Sequence, residues 1–172
     1  MTQETFGAGK QRFWEERRSG MKAKTVKKWG RPVVIVIFCV YLAILAYFLF
    51  FSERYGRAES GKYSYNLVPL QEIKRFIKYR DVIGWEGFVV NIFGNVFAFA
   101  PFGFLLPIVS RQNRGFFNVA LYSFEFSLFI ELIQLSFQVG TFDVDDLLMN
   151  TVGGVLGYLF FLTQKKRLRH FL

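Results

Sequence analysis

Four apolar stretches in this chain of 172 residues are each long enough to cross a lipid bilayer, and three of them contain polar side chains. The predicted helices cover residues 32–51, 88–109, 116–139 and 146–163. The first runs for twenty residues without a charge, and at about 1.5 Å per residue it spans about 30 Å, one hydrocarbon core. The pattern predicts an all-α integral membrane protein, a bundle of four transmembrane helices.

Lys and Arg are distributed unevenly between the two sides of such a bundle. Residues 1–31, the link 110–115 and the tail 164–172 together hold fifteen of them, whereas the first outer loop, residues 52–87, holds seven. The positive-inside rule therefore places both termini in the cytoplasm. We expect a basic N-terminal segment, a membrane domain over residues 32–163 and a basic C-terminal tail.

The formal net charge of +9 follows from this asymmetry. The N-terminal cluster is expected to contact anionic lipid headgroups, and no nucleic-acid-binding pattern accompanies it. The single cysteine, Cys39, rules out an intrachain disulfide, and the single histidine, His170, argues against a zinc site of His and Cys ligands.

The first outer loop contains a short amphipathic pattern. Its apolar residues recur at helical spacing and its basic residues take the other faces: Leu70, Ile73, Phe76 and Ile77 against Lys74, Arg75 and Lys78. We predict a helix lying in the membrane interface, with Pro69 in its first turn and Asn66 or a neighbour near its cap. It either only connects two spans or covers the outer mouth of the bundle as a lid, where its basic residues would meet phosphates.

Polar residues form a stripe on one face of the fourth span. Asp146, Asn150, Gly153, Gly154 and Gly157 follow the i, i+4, i+7, i+8 and i+11 spacing of one helix face. Gly153 and Gly157 form a small-xxx-small pair that allows a second helix to approach closely. Packing explains the glycines, but it does not explain the acid and the amide on the same stripe.

The second and third spans carry matching polar stripes. Glu131 and Gln134 share one face of the third span, and Asn91 and Asn95 share one face of the second. Pro101 removes a backbone donor from the middle of the second span, which predicts a kink or break there.

The predicted topology places these polar side chains at a similar depth in the membrane. With the N-terminus inside, the polar residues of the last three spans and the loop beside them fall in the outer half of the membrane, and polar residues there are functional candidates. This set comprises Asn91, Asn95, Glu131, Gln134, Asp143, Asp145, Asp146 and Asn150. The pattern predicts a polar cavity that opens to the external face.

The ordered motifs resemble those of the VanZ-like family. They are Asn91-x-x-Gly94-Asn95, Pro101-x-Gly103-x-x-x-Pro107, Glu131-x-x-Gln134, and Asp143-x-Asp145-Asp146-x-x-x-Asn150-x-x-Gly153-Gly154-x-x-Gly157. Upstream, Asn66-Leu67-Val68-Pro69 looks like the family's Asn-x-x-Pro element. The resemblance covers about residues 63–163. It implies a protein of the bacterial cytoplasmic membrane, in a family whose namesake gives resistance to the antibiotic teicoplanin.

The first functional hypothesis is binding or modification of a lipid-linked envelope component, or of a lipoglycopeptide, at the outer leaflet. Glu131 and Asp146 are the candidate catalytic groups, because a buried carboxyl can handle a proton near neutral pH. The candidate substrate-binding residues are Asn66, Arg75, Asn91, Asn95, Gln134 and Asn150. In this hypothesis Arg75 or Lys74 meets a phosphate.

Two alternatives stay open. The chain could be an enzyme that acts on a lipid phosphate with a divalent cation, Mg²⁺ or Ca²⁺, held by Asp143 and Asp145. A more ordinary role for such acids is to cap the fourth helix, with Asp145 or Asp146 as the expected cap. It could instead be a structural or partner-binding membrane protein whose polar residues only pack the bundle. The chain lacks the motifs of serine hydrolases, P-loop ATPases and dinucleotide-binding enzymes.

Overall fold

The computed structural model describes residues 14–15, 30–50, 63–110, 112 and 114–170. It contains four helices that are long and apolar enough to cross a membrane, which confirms the predicted four-helix architecture. In chain order the helices are α1 (Gly30–Phe50), α2 (Gln71–Lys78), α3 (Arg80–Val109), α4 (Phe116–Phe137) and α5 (Val144–Gln164). The described residues also form two short strands, β1 (Tyr65–Asn66) and β2 (Phe142–Asp143), and a 3-10 turn, Arg167–His170. Most of the basic N-terminal segment lies outside the described residues.

Helices α3 and α5 pack with their backbones in contact. A Cβ atom built on Gly153 would collide with the carbonyl oxygen of Val96, and one built on Gly157 would collide with that of Ala100. The predicted small-residue pair therefore does lie at a helix–helix interface. We call this contact the glycine seam; any side chain larger than hydrogen at these two positions would force the helices apart.

Two apolar clusters attach the remaining helices to this seam. One joins α3, α4 and α5 through Ile108, Val119, Tyr158 and Phe161. The other joins α1, α3 and α4 through Leu45, Phe99 and Ile130. The outer surfaces of the helices stay largely apolar and exposed, as a lipid-facing surface requires.

Helix α1 is also held by polar contacts to its neighbours. The Tyr41 hydroxyl donates to the carbonyl oxygen of Ala98 at 2.7 Å. The Gln134 amide donates to the carbonyl oxygen of Leu49 at 3.2 Å. The predicted binding residue Gln134 thus lies against the end of α1, where it helps to fix the position of that helix.

The expected kink or break at Pro101 is wrong as to a break, while a kink there stays a prediction. Helix α3 keeps helical dihedral angles through Pro101, and the break falls at Gly84, where φ is 81° and ψ is 159°. Glycine adopts such a positive φ without steric cost. Near Pro101, Ala100 and Gly103 lie in close contact with α5, and this packing supports the helical conformation of α3 although one backbone donor is missing.

Residues 63–79 and 138–145 meet at one end of the bundle, which we call the loop end. Strand β1 pairs in parallel with β2, so that Tyr65 faces Phe142 and Asn66 faces Asp143. The ladder is extended by a hydrogen bond from the Phe142 amide to the carbonyl oxygen of Ser64 at 3.0 Å. This short sheet connects the loop before α2 to the start of α5.

Candidate functional site

The Asp145 carboxylate holds the amino-terminal end of α2. It is fully buried, and it accepts hydrogen bonds from the backbone amides of Leu70, Glu72 (2.8 Å) and Ile73 (3.2 Å). A carboxylate at a helix N-terminus satisfies unpaired amides and is favoured by the helix dipole. The amphipathic helix is therefore fastened to the first turn of α5 by a side chain that lies far away in sequence.

The expected caps of α2 and α5 were assigned to the wrong residues. Asp143, not Asp145 or Asp146, caps α5, and its Oδ1 accepts from the Asp145 amide at 2.8 Å. For α2, Pro69 precedes the cap position, which is taken by Leu70 in the left-handed conformation. The Asn66 side chain accepts from the Val68 amide at 3.2 Å instead, which stabilises the local turn.

Asp143 joins three parts of the loop end. Its carboxylate accepts from the Asn66 side-chain amide, which lies 3.3 Å from each oxygen. Its backbone amide donates to Glu131 Oε2 at 3.1 Å. Burial raises the pKa of the Asp143 carboxyl above its usual range. Glu131, which is 2% exposed, thus positions the β2 segment from inside the bundle.

The remaining stripe residues pair across the interfaces of α5. The Asn95 amide donates to Asp146 Oδ1 at 2.6 Å, and the Asn150 amide donates to Ser127 Oγ at 2.9 Å. Asn150 Oδ1 is buried without a hydrogen-bond partner. Asn91 lies on α3, but its side chain is outside the part of the structure that is described.

A polar cavity of about 540 Å³ lies at the loop end, and we call it the loop cavity. Its walls are residues 64–68, the first turns of α2 with Gln71, Glu72 and Arg75, and two residues of the second loop, Thr141 and Asp143. Of the predicted binding residues, Asn66 and Arg75 line it. Glu131, Asn95, Gln134 and Asn150 are not among its lining residues, so the cavity lies in the loops and not between the polar stripes of the spans.

Arg75 is paired inside this cavity wall. Its guanidinium lies 2.6 Å from Glu72 Oε2. Desolvation raises the pKa of Glu72, the neighbouring carboxylates of Asp143 and Asp145 add to the effect, and Arg75 opposes it. The loop cavity therefore combines hydrogen-bonding groups, two carboxylates and one guanidinium.

The acidic residues of the loop end are committed mainly to protein contacts. Among the residues that the structure describes, no group of three or more His, Cys, Asp or Glu side chains is placed to hold a metal ion. Both oxygens of Asp145 accept backbone amides. A divalent cation on Asp143 and Asp145 stays a prediction, because the described residues do not arrange a set of ligands around these two carboxylates.

Residues 38–165 match the family model of VanZ/LLP1 proteins. The chain belongs to the VanZ/LLP1 family. The match begins within α1 and ends just past α5, so it includes the larger part of α1 and all of the later helices. Together with the four apolar helices, it identifies this VanZ/LLP1 member as a multi-pass membrane protein.

A curated relative supports the same assignment. This VanZ/LLP1 chain is 32% identical over 124 residues to Protein VanZ of Enterococcus faecium, an alignment that covers 70% of the chain and 68% of the relative. No solved structure matches the chain.

Sequence reasoning missed three contributors to the site of this VanZ/LLP1 protein. Glu72 was not considered, although its i, i+3 spacing to Arg75 predicts an ion pair on a helix. Ser127 partners Asn150, and it lies four residues before Glu131 on the same face of α4. The contact of Asp145 with α2 joins residues more than seventy positions apart, and no local pattern signals it.

Proposed function

We propose that this chain lowers susceptibility to teicoplanin-type lipoglycopeptides by binding a lipid-linked envelope component, or the antibiotic itself, in the loop cavity. Membership of the VanZ/LLP1 family and the similarity to Protein VanZ support the choice of function. The observation that carries the mechanism is a polar cavity of about 540 Å³ beside an amphipathic helix at one end of a membrane bundle.

In this proposal the loop end faces the outside of a bacterial cytoplasmic membrane and both termini are cytoplasmic. The distribution of basic residues supports this orientation, since fifteen Lys and Arg lie on the opposite side and seven on this one. The basic N-terminal segment contacts anionic headgroups of the inner leaflet. Ligand that is anchored in the outer leaflet then reaches the cavity without crossing the membrane.

The rim of the cavity suits a ligand that has both a polar head and an apolar chain. Leu67 and Val68 line the cavity and are each 59% exposed, and Leu70 next to them is 47% exposed. These side chains place exposed apolar surface directly beside the polar walls. The head of the ligand occupies the polar walls, while its chain stays on the rim and in the surrounding lipid.

Glu131 and Asp146 are positioning residues in this proposal, not groups that react with the ligand. Glu131 accepts from the Asp143 amide, and Asp146 accepts from Asn95. Neither lines the loop cavity. Binding thus accounts for the site more simply than catalysis, because the carboxylates expected to transfer protons hold the walls in place.

Expression in a susceptible Gram-positive host tests the function directly. We expect a raised minimal inhibitory concentration for teicoplanin and little change for a glycopeptide without an acyl chain. Thr141→Phe, which fills part of the cavity, should remove the effect at an unchanged protein level. Val139→Phe adds the same side chain to the same loop outside the cavity wall and should retain it. Equal behaviour of the two variants, or no effect of the parent chain, contradicts the proposal.

A second candidate function is that of a structural or partner-binding membrane protein. It is favoured by the pairing of the buried polar residues with protein groups, as for Asp145 on α2 and Glu131 on β2. Under this alternative Thr141→Phe would change neither susceptibility nor protein level, while losses of Glu131 or Asp145 would only lower the amount of folded protein.

A further inference from the structure

The wall of the loop cavity carries more negative than positive charge. Glu72 and Asp143 contribute two carboxylates and Arg75 contributes one guanidinium. That guanidinium is already paired with Glu72 at 2.6 Å. A chain with a formal net charge of +9 thus lines its polar cavity with an excess of one negative charge.

Among the described residues, Asp143 has hydrogen-bond donors but no ion pair of its own, and the Arg75 guanidinium acts on its carboxylate only from a distance. Its partners are the Asn66 side-chain amide at 3.3 Å and the Asp145 backbone amide at 2.8 Å. The pKa values of Asp143 and Glu72 are both raised, chiefly by desolvation and further by the neighbouring carboxylates, while the Arg75 guanidinium opposes the rise in both without cancelling it. When a positive charge enters the space between carboxyl groups whose pKa values are raised, it stabilises their ionised form.

The other walls offer hydrogen-bond acceptors that suit an N–H donor. Ser64 and Thr141 supply hydroxyls and Gln71 supplies an amide. An ammonium group has three donors and no acceptor, so it can use such groups together with a carboxylate. The volume of about 540 Å³ lies in the range of small-molecule sites and is far larger than a bare cation needs.

A phosphate fits the same walls poorly. It would bring further negative charge next to Glu72 and Asp143, and the one guanidinium in the wall is already paired. Lys74 and Lys78 are exposed on α2 but do not line the cavity, so they are placed for headgroups of the surrounding bilayer. The expectation that Arg75 meets a phosphate is therefore not favoured by this arrangement.

We infer that the loop cavity recognises the ammonium group of an acylated or lipid-linked amine, which the carboxylates of Glu72 and Asp143 hold while its apolar chain stays on the rim. This inference rests on the proposed function, since it names the chemical class of ligand for the same cavity. The apolar rim of Leu67 and Val68 commits the ligand to an amphiphile, as opposed to a free amine from solution.

Three single-chain amphiphiles with different heads test the charge of the ligand. The full chain in a nonionic detergent is titrated with dodecylamine, with N-dodecylacetamide and with dodecyl phosphate, and bound molecules are followed by native mass spectrometry. We expect dodecylamine to bind about tenfold more tightly than the neutral amide, and the phosphate to bind no better than the amide. Tightest binding of the phosphate, or equal binding of all three, overturns the inference.

Variants that each remove one charged group from the cavity wall test the charge of the ligand, because an amine and a phosphate predict opposite changes in affinity. Glu72→Gln removes a carboxylate and releases Arg75, so dodecylamine should bind about tenfold more weakly. Arg75→Gln removes the competing cation, so dodecylamine should bind more tightly. A phosphate site predicts weaker binding of dodecyl phosphate after Arg75→Gln and stronger binding after Glu72→Gln.

Lys74→Gln is the matched control, since it removes a positive charge from the same helix outside the cavity wall. It should leave dodecylamine binding unchanged; an effect as large as that of Arg75→Gln would indicate general surface charge and overturn the inference. Unfolding temperatures close to that of the parent chain confirm that the Glu72, Arg75 and Lys74 variants are folded.

The two proposals fail in different ways. If the chain raises the inhibitory concentration of teicoplanin but shows no preference for dodecylamine, the proposed function stands and the inferred ligand class is wrong. If the amine preference and its dependence on Glu72 are found without any effect on teicoplanin susceptibility, the ligand class stands and the proposed function is wrong.

Discussion

The glycine seam and the loop end hold their parts together by opposite means. Along the seam, Gly153 and Gly157 let α5 lie against the backbone of α3, and the fit depends on the absence of side chains. At the loop end, the carboxylates of Asp145 and Asp143 hold α2 and β1 by accepting hydrogen bonds from amides of those segments. The seam is a contact of shape, whereas the loop end is a contact of charge and hydrogen bonding.

The difference shows where a ligand can act on this molecule. A close-packed seam leaves no space where the backbones touch, so it sets the distance between two helices and little else. The loop end contains a polar cavity whose walls are held by a few polar pairs. Rigid helices below and polar pairs above are a suitable arrangement for a binding site at the membrane surface.

The largest effect is expected where the shape contact is broken. Gly157→Ala places a methyl group on the carbonyl oxygen of Ala100, with backbone on both sides of the clash. We expect a loss of about 1–3 kcal/mol or more in the free energy of unfolding and a clear fall in folded yield. Thermal unfolding of the detergent-purified chain measures it.

Gly115→Ala is the matched control for the seam. A Cβ there would have its nearest neighbour, Asn118, at 3.9 Å. The unfolding temperature of this variant should stay close to that of the parent chain. If Gly157→Ala were equally well tolerated, the seam would not depend on bare backbone, and the contrast between the two regions would disappear.

A smaller and more local effect is expected from Asp145→Asn. The variant keeps one acceptor oxygen, so at least one of the three α2 amides loses its partner, at a cost of about 1–2 kcal/mol to the attachment of α2. Hydrogen exchange at residues 70–73 should become faster, while exchange within α3 and α5 stays slow. Equal acceleration in the seam would show that the two regions unfold together.

Asp81→Asn supplies the control for this exchange experiment. Asp81 belongs to an exposed pair with Arg80 at 3.6 Å, and the Asp81 side chain is 89% exposed. Such surface pairs contribute little to stability. Its exchange pattern should match that of the parent chain.

The seam could be predicted from sequence because its cause is local. The spacing of Gly153 and Gly157 places both on one helix face, and bare backbone on one face has a single structural use. The four spans follow from runs of apolar residues for the same reason. The break in α3 was expected at Pro101 because proline destabilises an isolated helix, but it lies at Gly84. In the folded protein, the packing of Ala100 and Gly103 on α5 supports the helical conformation around Pro101.

The loop end could be predicted only in part. The sequence indicated that Asp143, Asp145 and Glu131 belong to one polar region, and they are joined by hydrogen bonds. Asn66, predicted separately as a binding residue, joins them through Asp143. It did not indicate which acid caps which helix, because Asp145 reaches α2 through the fold and not along the chain. A cavity between the polar stripes stays a prediction, whereas the loop cavity lies in the loops. Of the stripe residues, Asn95 pairs with Asp146, and Asn150 pairs with Ser127.

Two substitutions of Glu131 test how far the loop end depends on one hydrogen bond from inside the bundle, the bond that Glu131 accepts from the Asp143 amide. Glu131→Gln keeps an oxygen that can accept from the Asp143 amide, whereas Glu131→Leu leaves that buried amide unpaired at a cost of about 1–2 kcal/mol. We expect teicoplanin susceptibility to follow the hydrogen bond: the Gln variant behaves like the parent chain, and the Leu variant loses the effect. Loss of the effect in the Gln variant, at an unchanged unfolding temperature, would assign Glu131 a proton-transfer role instead.

The smallest expected effect is a dependence of the loop end on pH. The pKa of Asp143 is raised in the folded protein, so the folded state binds this proton more strongly than the unfolded state. Its contribution to stability is therefore fully present below the unfolded pKa and is lost as the pH rises through the folded pKa. On going from about pH 7 to about pH 5, close to the ordinary range of carboxyl groups, the parent chain should gain stability relative to Asp143→Asn.

The measurement is the difference between the unfolding temperatures of the two proteins at each pH. The Asn side chain still offers an oxygen to the Asp145 amide, so the cap of α5 is retained in the variant. Taking the difference between two matched proteins removes the titration of groups that they share. A difference that stays constant with pH, or that shifts in favour of the variant as the pH falls, would mean that the Asp143 carboxylate is already compensated by a positive charge. In that case the loop end, like the seam, would contain no carboxylate that lacks a compensating positive charge.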